Sequence, residues 1–161
     1  MSKLFRLETE TGKGIYQERN HYQTIHSRET QNAIKHPEPP QDKEFRNAWD
    51  NDKNKSGRPT FVYSFGFSSA GQMKKWFSKE DFRNIKLINL EREKEGRQPY
   101  FVSVYSGLVV SGGKQAVAFL PDCKLMKRIP IEKFYPRQRL PKKLGGGKFL
   151  KKDLAKPQTI S

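Results

Sequence analysis

The chain is predicted to fold as one α+β domain, in which one or two short helices cover one face of a mostly antiparallel sheet, followed by a basic, disordered C-terminal tail. Three observations predict this. Residues 60–67 place aromatics at alternate positions, as a strand with one buried face does. Ser69 and Ser78 each open an apolar stripe at helical spacing. Two strand-like runs, 100–110 and 115–120, flank a reversal at Gly112 and Gly113.

The elements follow in chain order. Residues 4–8 alternate as a short first strand, with Leu4 and Arg6 on one side and Phe5 and Leu7 on the other, until Gly12 and Gly14 break the pattern. The polar stretch 16–35 reads as a long connection, and Pro37, Pro39 and Pro40 forbid a helix from continuing. Residues 37–59 read as an exposed loop with Trp49 as its anchor, because the run Asp50-Asn51-Asp52-Lys53-Asn54-Lys55 buries too little to offset the entropy of ordering it. After the aromatic second strand, Ser69 and Gln72 have capping-box spacing ahead of Met73, Trp76 and Phe77. Ser78 and Asp81 repeat it ahead of Phe82, Ile85 and Ile88, so two successive helices or one bent helix fill 69–95 and stop near Gly96. A hairpin completes the sheet. The expected core is Tyr63, Phe65, Phe67, Met73, Trp76, Phe77, Phe82, Val102, Val104, Val117 and Phe119.

The domain is thus expected over 1–122, with 123–161 as an extension rich in Pro, Gly and Lys that contains Pro130, Pro136, Pro141 and the triplet Gly145, Gly146 and Gly147. A length of 161 residues leaves room for one core. Hydrophobic residues are few, at 34%, and mean hydropathy is -0.91, yet 12% of residues are aromatic, which describes a small aromatic core with polar flanks.

Charge points to the partner. Lys and Arg number 32 against 17 Asp and Glu, for a net charge of +15, so acidic surfaces attract the molecule. From Lys124 onward, twelve cations face only Glu132 and Asp153, which puts +10 of that +15 at the C-terminal end. Lys127, Arg128, Lys133, Arg137, Arg139, Lys142, Lys143, Lys148, Lys151 and Lys152 are the expected phosphate contacts, and Phe134 and Tyr135 are placed among them to stack on exposed bases. DNA and RNA fit equally. The competing reading is a solvated tail, or one that touches an acidic protein.

Other chemistry finds little support. His21, His26 and His36 are spaced five and ten apart, which matches no regular ligand pattern, so they read as surface loop histidines and no metal site is expected. Neither Gly12 and Gly14 nor Gly112 and Gly113 lead into the Lys and hydroxyl residue of a phosphate loop; both pairs read as turns. Ser68 and Ser69 have no histidine placed as a base, and no catalytic residue or cofactor is expected. Cys123, the single cysteine, forms no internal disulfide and reads as a semi-buried thiol in a reducing compartment. No apolar run reaches the roughly 20 residues needed to span a bilayer and none resembles a signal peptide, so a cytoplasmic location is expected.

Several short motifs carry a resemblance. Leu4-Phe5-Arg6-Leu7-Glu8 with Gly14-Ile15-Tyr16, the His36-Pro37-Glu38-Pro39 turn, Phe65-Gly66-Phe67-Ser68, Trp76-Phe77 and Lys114-Gln115-Ala116-Val117-Ala118-Phe119 resemble a family of small accessory proteins of tailed bacteriophages over about residues 4–120. The resemblance implies a phage accessory protein in an infected bacterium that binds and redirects host machinery or blunts a defence system. The Asn-rich loop around Asp52 and the tail from Leu125 depart from that compact pattern. The motif order also resembles ADP-ribosyltransferases, which would place Arg6, Ser64 or Ser68, and the Gln115 strand at the positions that grip NAD. Gln115 and Val117 stand where a catalytic Glu is expected, and an amide cannot replace its carboxylate, so the implied relative is non-catalytic. The leading expectation is a non-enzymatic phage accessory protein that binds nucleic acid or a host nucleoprotein machine. A nucleotide-binding enzyme relative and an inhibitor of one acidic host protein are the alternatives.

Overall fold

The computed structural model describes residues 2–17, 24–26 and 41–135, and over them the α+β class is borne out. The described strands are β1 (Ser2–Glu8), β2 (Ser64–Gly66), β3 (Phe101–Gly107), β4 (Val109–Gly112), β5 (Gln115–Ala118) and β6 (Lys124–Pro130). They form two antiparallel three-stranded sheets, ordered β1-β3-β6 and β2-β5-β4. The expected strand 100–110 is therefore two strands in different sheets. Leu108, 67% exposed, is the break, and the hairpin is β4 with β5 alone. The sheets meet where Phe5 and Phe67 exchange backbone hydrogen bonds of 2.7 and 2.8 Å. That approach requires Gly66, because a Cβ there would stand 2.5 Å from the Phe5 carbonyl oxygen.

Four helices are described: α1 (Lys43–Ser56), α2 (Ala70–Trp76), α3 (Lys79–Lys94) and the single turn α4 (Ile131–Phe134). The first of them corrects the expected loop at 37–59 across its charged part. Phe45 and Trp49, one turn apart, are buried with Tyr63 and Val117, and the charged Asn-rich run is the solvent face of the same helix. Gly57, in left-handed conformation at φ 75°, closes it by donating to the Lys53 carbonyl. Trp49 does anchor the segment, as its composition suggests.

The next two helices are where their caps place them. Ser69 Oγ accepts the Gln72 N–H at 3.0 Å. Ser78 and Asp81 form a full capping box, with Asp81 N–H donating to Ser78 Oγ at 3.1 Å and Ser78 N–H to Asp81 Oδ2 at 2.8 Å. Met73, Trp76, Phe77, Phe82 and Ile85 bury against Leu7 and Val102 in the main core. Asn89 pins the chain's return, donating to the Tyr100 carbonyl at 3.1 Å and accepting its N–H at 2.8 Å.

The second strand is shorter than its aromatic alternation suggests. Thr60–Val62, after Pro59, is a 3-10 turn with Phe61 85% exposed, and only Ser64–Gly66 pairs in the sheet. Of the expected core, Phe65 stays 42% exposed while its ring contacts Phe45 and Trp49, and Phe119 is half-buried under Arg58, whose guanidinium lies 4.3 Å from the ring centre.

Candidate nucleic-acid interface and neighbouring polar clusters

The folded unit does not end at residue 122. Residues 124–130, assigned by composition to the extension, pair along β3 as β6, and α4 buries Ile131 and Phe134. Proline and lysine density hides this strand, because as an outer strand it needs few apolar residues; Ile129 carries its packing, and Ile131 opens α4 just after it. Lys124, Leu125, Met126 and Lys127 are exposed along it, and Lys133 is exposed on α4. The other expected phosphate contacts, Arg137, Arg139, Lys142, Lys143, Lys148, Lys151 and Lys152, lie outside the described residues.

Three of the residues grouped with them are occupied within the fold. Phe134, placed by sequence as a base-stacking ring, is buried instead, 5.7 Å from the Phe82 ring. Tyr135 is half-buried at 4.8 Å from the same ring, and the Lys74 ammonium lies 4.9 and 5.3 Å from the Phe134 and Tyr135 centroids. Buried Lys86 donates to the Tyr135 carbonyl at 3.0 Å; burial lowers its pKa, against the pull of Glu132. Arg128 is half-buried and donates through Nη2 to the Glu10 carbonyl at 3.0 Å.

Behind this edge, the face of the first sheet opposite Leu7 and Val102 carries a polar row. Arg6, Ser103 and Arg128 stand opposite one another across three strands. Arg6 donates to Glu8 Oε1 at 2.6 Å, to the Phe65 carbonyl at 2.7 Å and to the Gly12 carbonyl at 3.3 Å. Tyr105 donates to the other oxygen of fully buried Glu8, and burial together with that carboxylate pushes its pKa up to about 12. Ser103 Oγ and Arg128 Nε are buried without a partner among the described residues.

Arg6, Ser68 and Gln115, aligned above with an NAD grip, are each engaged within the fold. Arg6 is engaged as just described. Ser68 donates through N and Oγ to Gln72 Oε1, at 2.7 and 3.2 Å. Gln115 Nε2 lies 3.5 Å from Asp42 Oδ2. Asp42 and Glu44 also accept the backbone N–H groups of Lys114 and Gly113, at 2.9 and 3.0 Å, so the turn expected there grips protein carboxylates.

A third cluster was not foreseen. His26, expected on the surface, is buried; it stacks on Phe77 with ring centres 5.5 Å apart, and its Nδ1 is 3.0 Å from Asp81 Oδ2. Its Nε2 is hydrogen-bonded to the Tyr16 hydroxyl, which also receives the Trp76 indole N–H at 2.9 Å. Burial opposes ionisation of Asp81, but hydrogen bonds from His26 and Ser78 outweigh it and hold the carboxyl below its ordinary value. His21 and His36 lie outside the described residues. Trp76 also lines an open cleft of about 570 Å³ with Ser68, Gln72, Lys75 and Lys114. Among the described residues no three His, Cys, Asp or Glu side chains are grouped to hold a metal, and no helix is long and apolar enough to cross a membrane.

A family model described as bacteriophage T4 Y00F protein matches residues 1–132. No curated protein and no solved structure matches the chain.

Proposed function

The chain belongs to the bacteriophage T4 Y00F protein family, and from that premise we propose that it is a non-enzymatic phage accessory protein that binds nucleic acid, or a nucleoprotein machine of the host, through a basic surface. The role that follows is host takeover or counter-defence in the cytoplasm of the infected bacterium. One observation supports the reading above the rest: the outer strand β6 exposes Lys124 and Lys127, and Lys133 is exposed on α4, which precedes the most cationic part of the sequence. Lysines on an edge strand also guard against edge-to-edge pairing, a purely structural use. The two uses differ in their dependence on salt.

If about six phosphates are engaged, log affinity falls with log salt at a slope of about -4 to -5, so a fourfold rise in salt weakens binding several hundredfold. The experiment is a salt titration against generic DNA and RNA of equal length, with the full chain, a chain truncated after Tyr135, and the double variant Lys124→Glu/Lys127→Glu. Flatter slopes for both altered proteins support the reading. Absence of binding by the full chain at low salt refutes it and leaves an acidic protein as the partner to seek.

A further inference from the structure

We propose that Phe61 is a stacking platform for an unpaired base, and that the nucleic acid taken by the basic edge is therefore single-stranded. The inference rests on the reading of that edge and deepens it by naming the class of strand. A single strand gains sequence-tolerant affinity from cations on its phosphates and aromatic rings under its bases. The edge supplies cations, but the rings expected beside them are occupied: Phe134 is buried against Phe82, and Tyr135 is half-buried on the same ring. The stacking component falls to another part of the surface.

Phe61 has the most exposed aromatic side chain among the described residues. A single exposed apolar side chain is ordinary; what distinguishes this one is how its backbone is held. Its 3-10 turn follows Pro59, and the N–H groups of Val62 and Tyr63 donate to the Pro59 and Thr60 carbonyls, both at 3.3 Å. On one side of the ring, Lys53 donates to Thr60 Oγ1 at 3.1 Å. On the other, Tyr63 is buried with Phe45 and Trp49, and its hydroxyl donates to Asp52 at 2.7 Å. The ring thus stands out from a turn tied on both sides, and a base that stacks on it does not have to order the backbone first.

The fold also brings this turn to the start of the basic edge. Ser64 pairs with Ala118 in antiparallel register, so the chain before Ser64 and the chain after Ala118 leave the sheet at the same end. There Arg58 Nη2 donates to Asp122 Oδ2 at 2.8 Å, and Asp122 stands two residues before Lys124, where β6 begins. The cations that tie the turn are themselves paired, Lys53 with Asp50 at 3.3 Å and Arg58 with Asp122, so they fix the platform while Lys124 and Lys127 meet the phosphates. In a duplex every base is stacked between its neighbours and none offers a free face; an unpaired base can lay its face on the ring.

The test titrates the full chain, Phe61→Ala and Phe61→Trp with labelled single strands of DNA and RNA and with the duplex of the same sequence, at low salt, and records the melting transition of each protein. Phe61→Ala is expected to weaken single-strand binding about tenfold or more, while duplex binding changes by less than about twofold. The melting transition and the salt slope stay as they are, because the change removes neither a buried group nor a charge. Phe61→Trp keeps the single-strand affinity, and its exposed indole is quenched by the strand; Trp49 and Trp76 are buried, so quenching beyond that of the unaltered chain reports position 61. Unchanged single-strand binding by Phe61→Ala, an equal loss for single strand and duplex, or no added quenching in strand-bound Phe61→Trp overturns the proposal and leaves the basic edge standing. Absence of binding by the unaltered chain to all of these strands overturns the basic edge, and this proposal with it.

Discussion

Phe134→Ala separates a folded α4 from a base-stacking tail. The ring is 7% exposed, lies 5.7 Å from Phe82 and carries the Lys74 ammonium 4.9 Å above it. Truncating a buried Phe costs about 3 to 5 kcal/mol. The site lies at the margin of the core, in a helix of four residues, so the lower end, about 3 kcal/mol, applies. With about 2.1 cal/mol/K of unfolding entropy per residue over roughly 130 residues, each kcal/mol moves Tm by about 4 °C, and the expected fall is about 10 °C. The assay is thermal unfolding followed by circular dichroism, in parallel with nucleic-acid binding measured well below Tm. Affinity is expected to change less than twofold. A lost affinity with unchanged Tm would refute the packing assignment and return Phe134 to the surface.

Four further outcomes follow from the same geometry. Gly66→Ala forces a Cβ to 2.5 Å from the Phe5 carbonyl, so it costs about 2 kcal/mol or more in chemical denaturation, and a neutral result would mean that the sheets do not meet there. Asp81 has a folded pKa below its unfolded value of about 4, so its stabilisation is present above that value and is lost as pH falls through the folded value; Asp81→Asn lowers stability at pH 7 and flattens the acid limb of a stability–pH curve. Tyr105 runs the other way: with its pKa raised from 10.0 to about 12, its contribution is complete below the unfolded value and fades as pH climbs through the folded one, and Tyr105→Phe removes that alkaline loss. Incubation with labelled NAD and a bacterial lysate is expected to leave every protein unlabelled, because Gln115 offers an amide beside Asp42; transfer that Gln115→Ala abolishes would establish an ADP-ribosyltransferase instead.

What could be read from the chain depended on how local its cause was. The Ser78 and Asp81 box with Phe82 and Ile85 declared α3, since cap and stripe lie within two turns. By contrast, α1 shows only Phe45 and Trp49 as apolar anchors, and what fixes it, contact with Tyr63 and Val117, comes from residues later in the chain. The break at Leu108 hides inside the continuous apolar run Leu108-Val109-Val110, where alternation cannot reveal a change of sheet. The basic edge was legible as charge, though not as a strand. His26 and Asp81, 55 residues apart, left no spacing signal; the cap located Asp81, and nothing in the sequence pointed from it to Tyr16 or His26.

The pairing of β1 with β3 also sets a schedule for synthesis. Leu4 lies opposite Tyr105, so the first strand is made about a hundred residues before its partner. At about 5–20 residues per second, that leaves it waiting for roughly 5–20 seconds with its edge uncovered and Leu4, Phe5 and Leu7 unburied. Residues 79–94, held by their own cap, need no such wait and can form as they emerge. In a cell crowded with nascent phage proteins, that interval is when chains of this protein are most exposed to chaperones and to one another. Contact order makes the closing of this long-range pairing, Leu4 against Tyr105, the step expected to be slow.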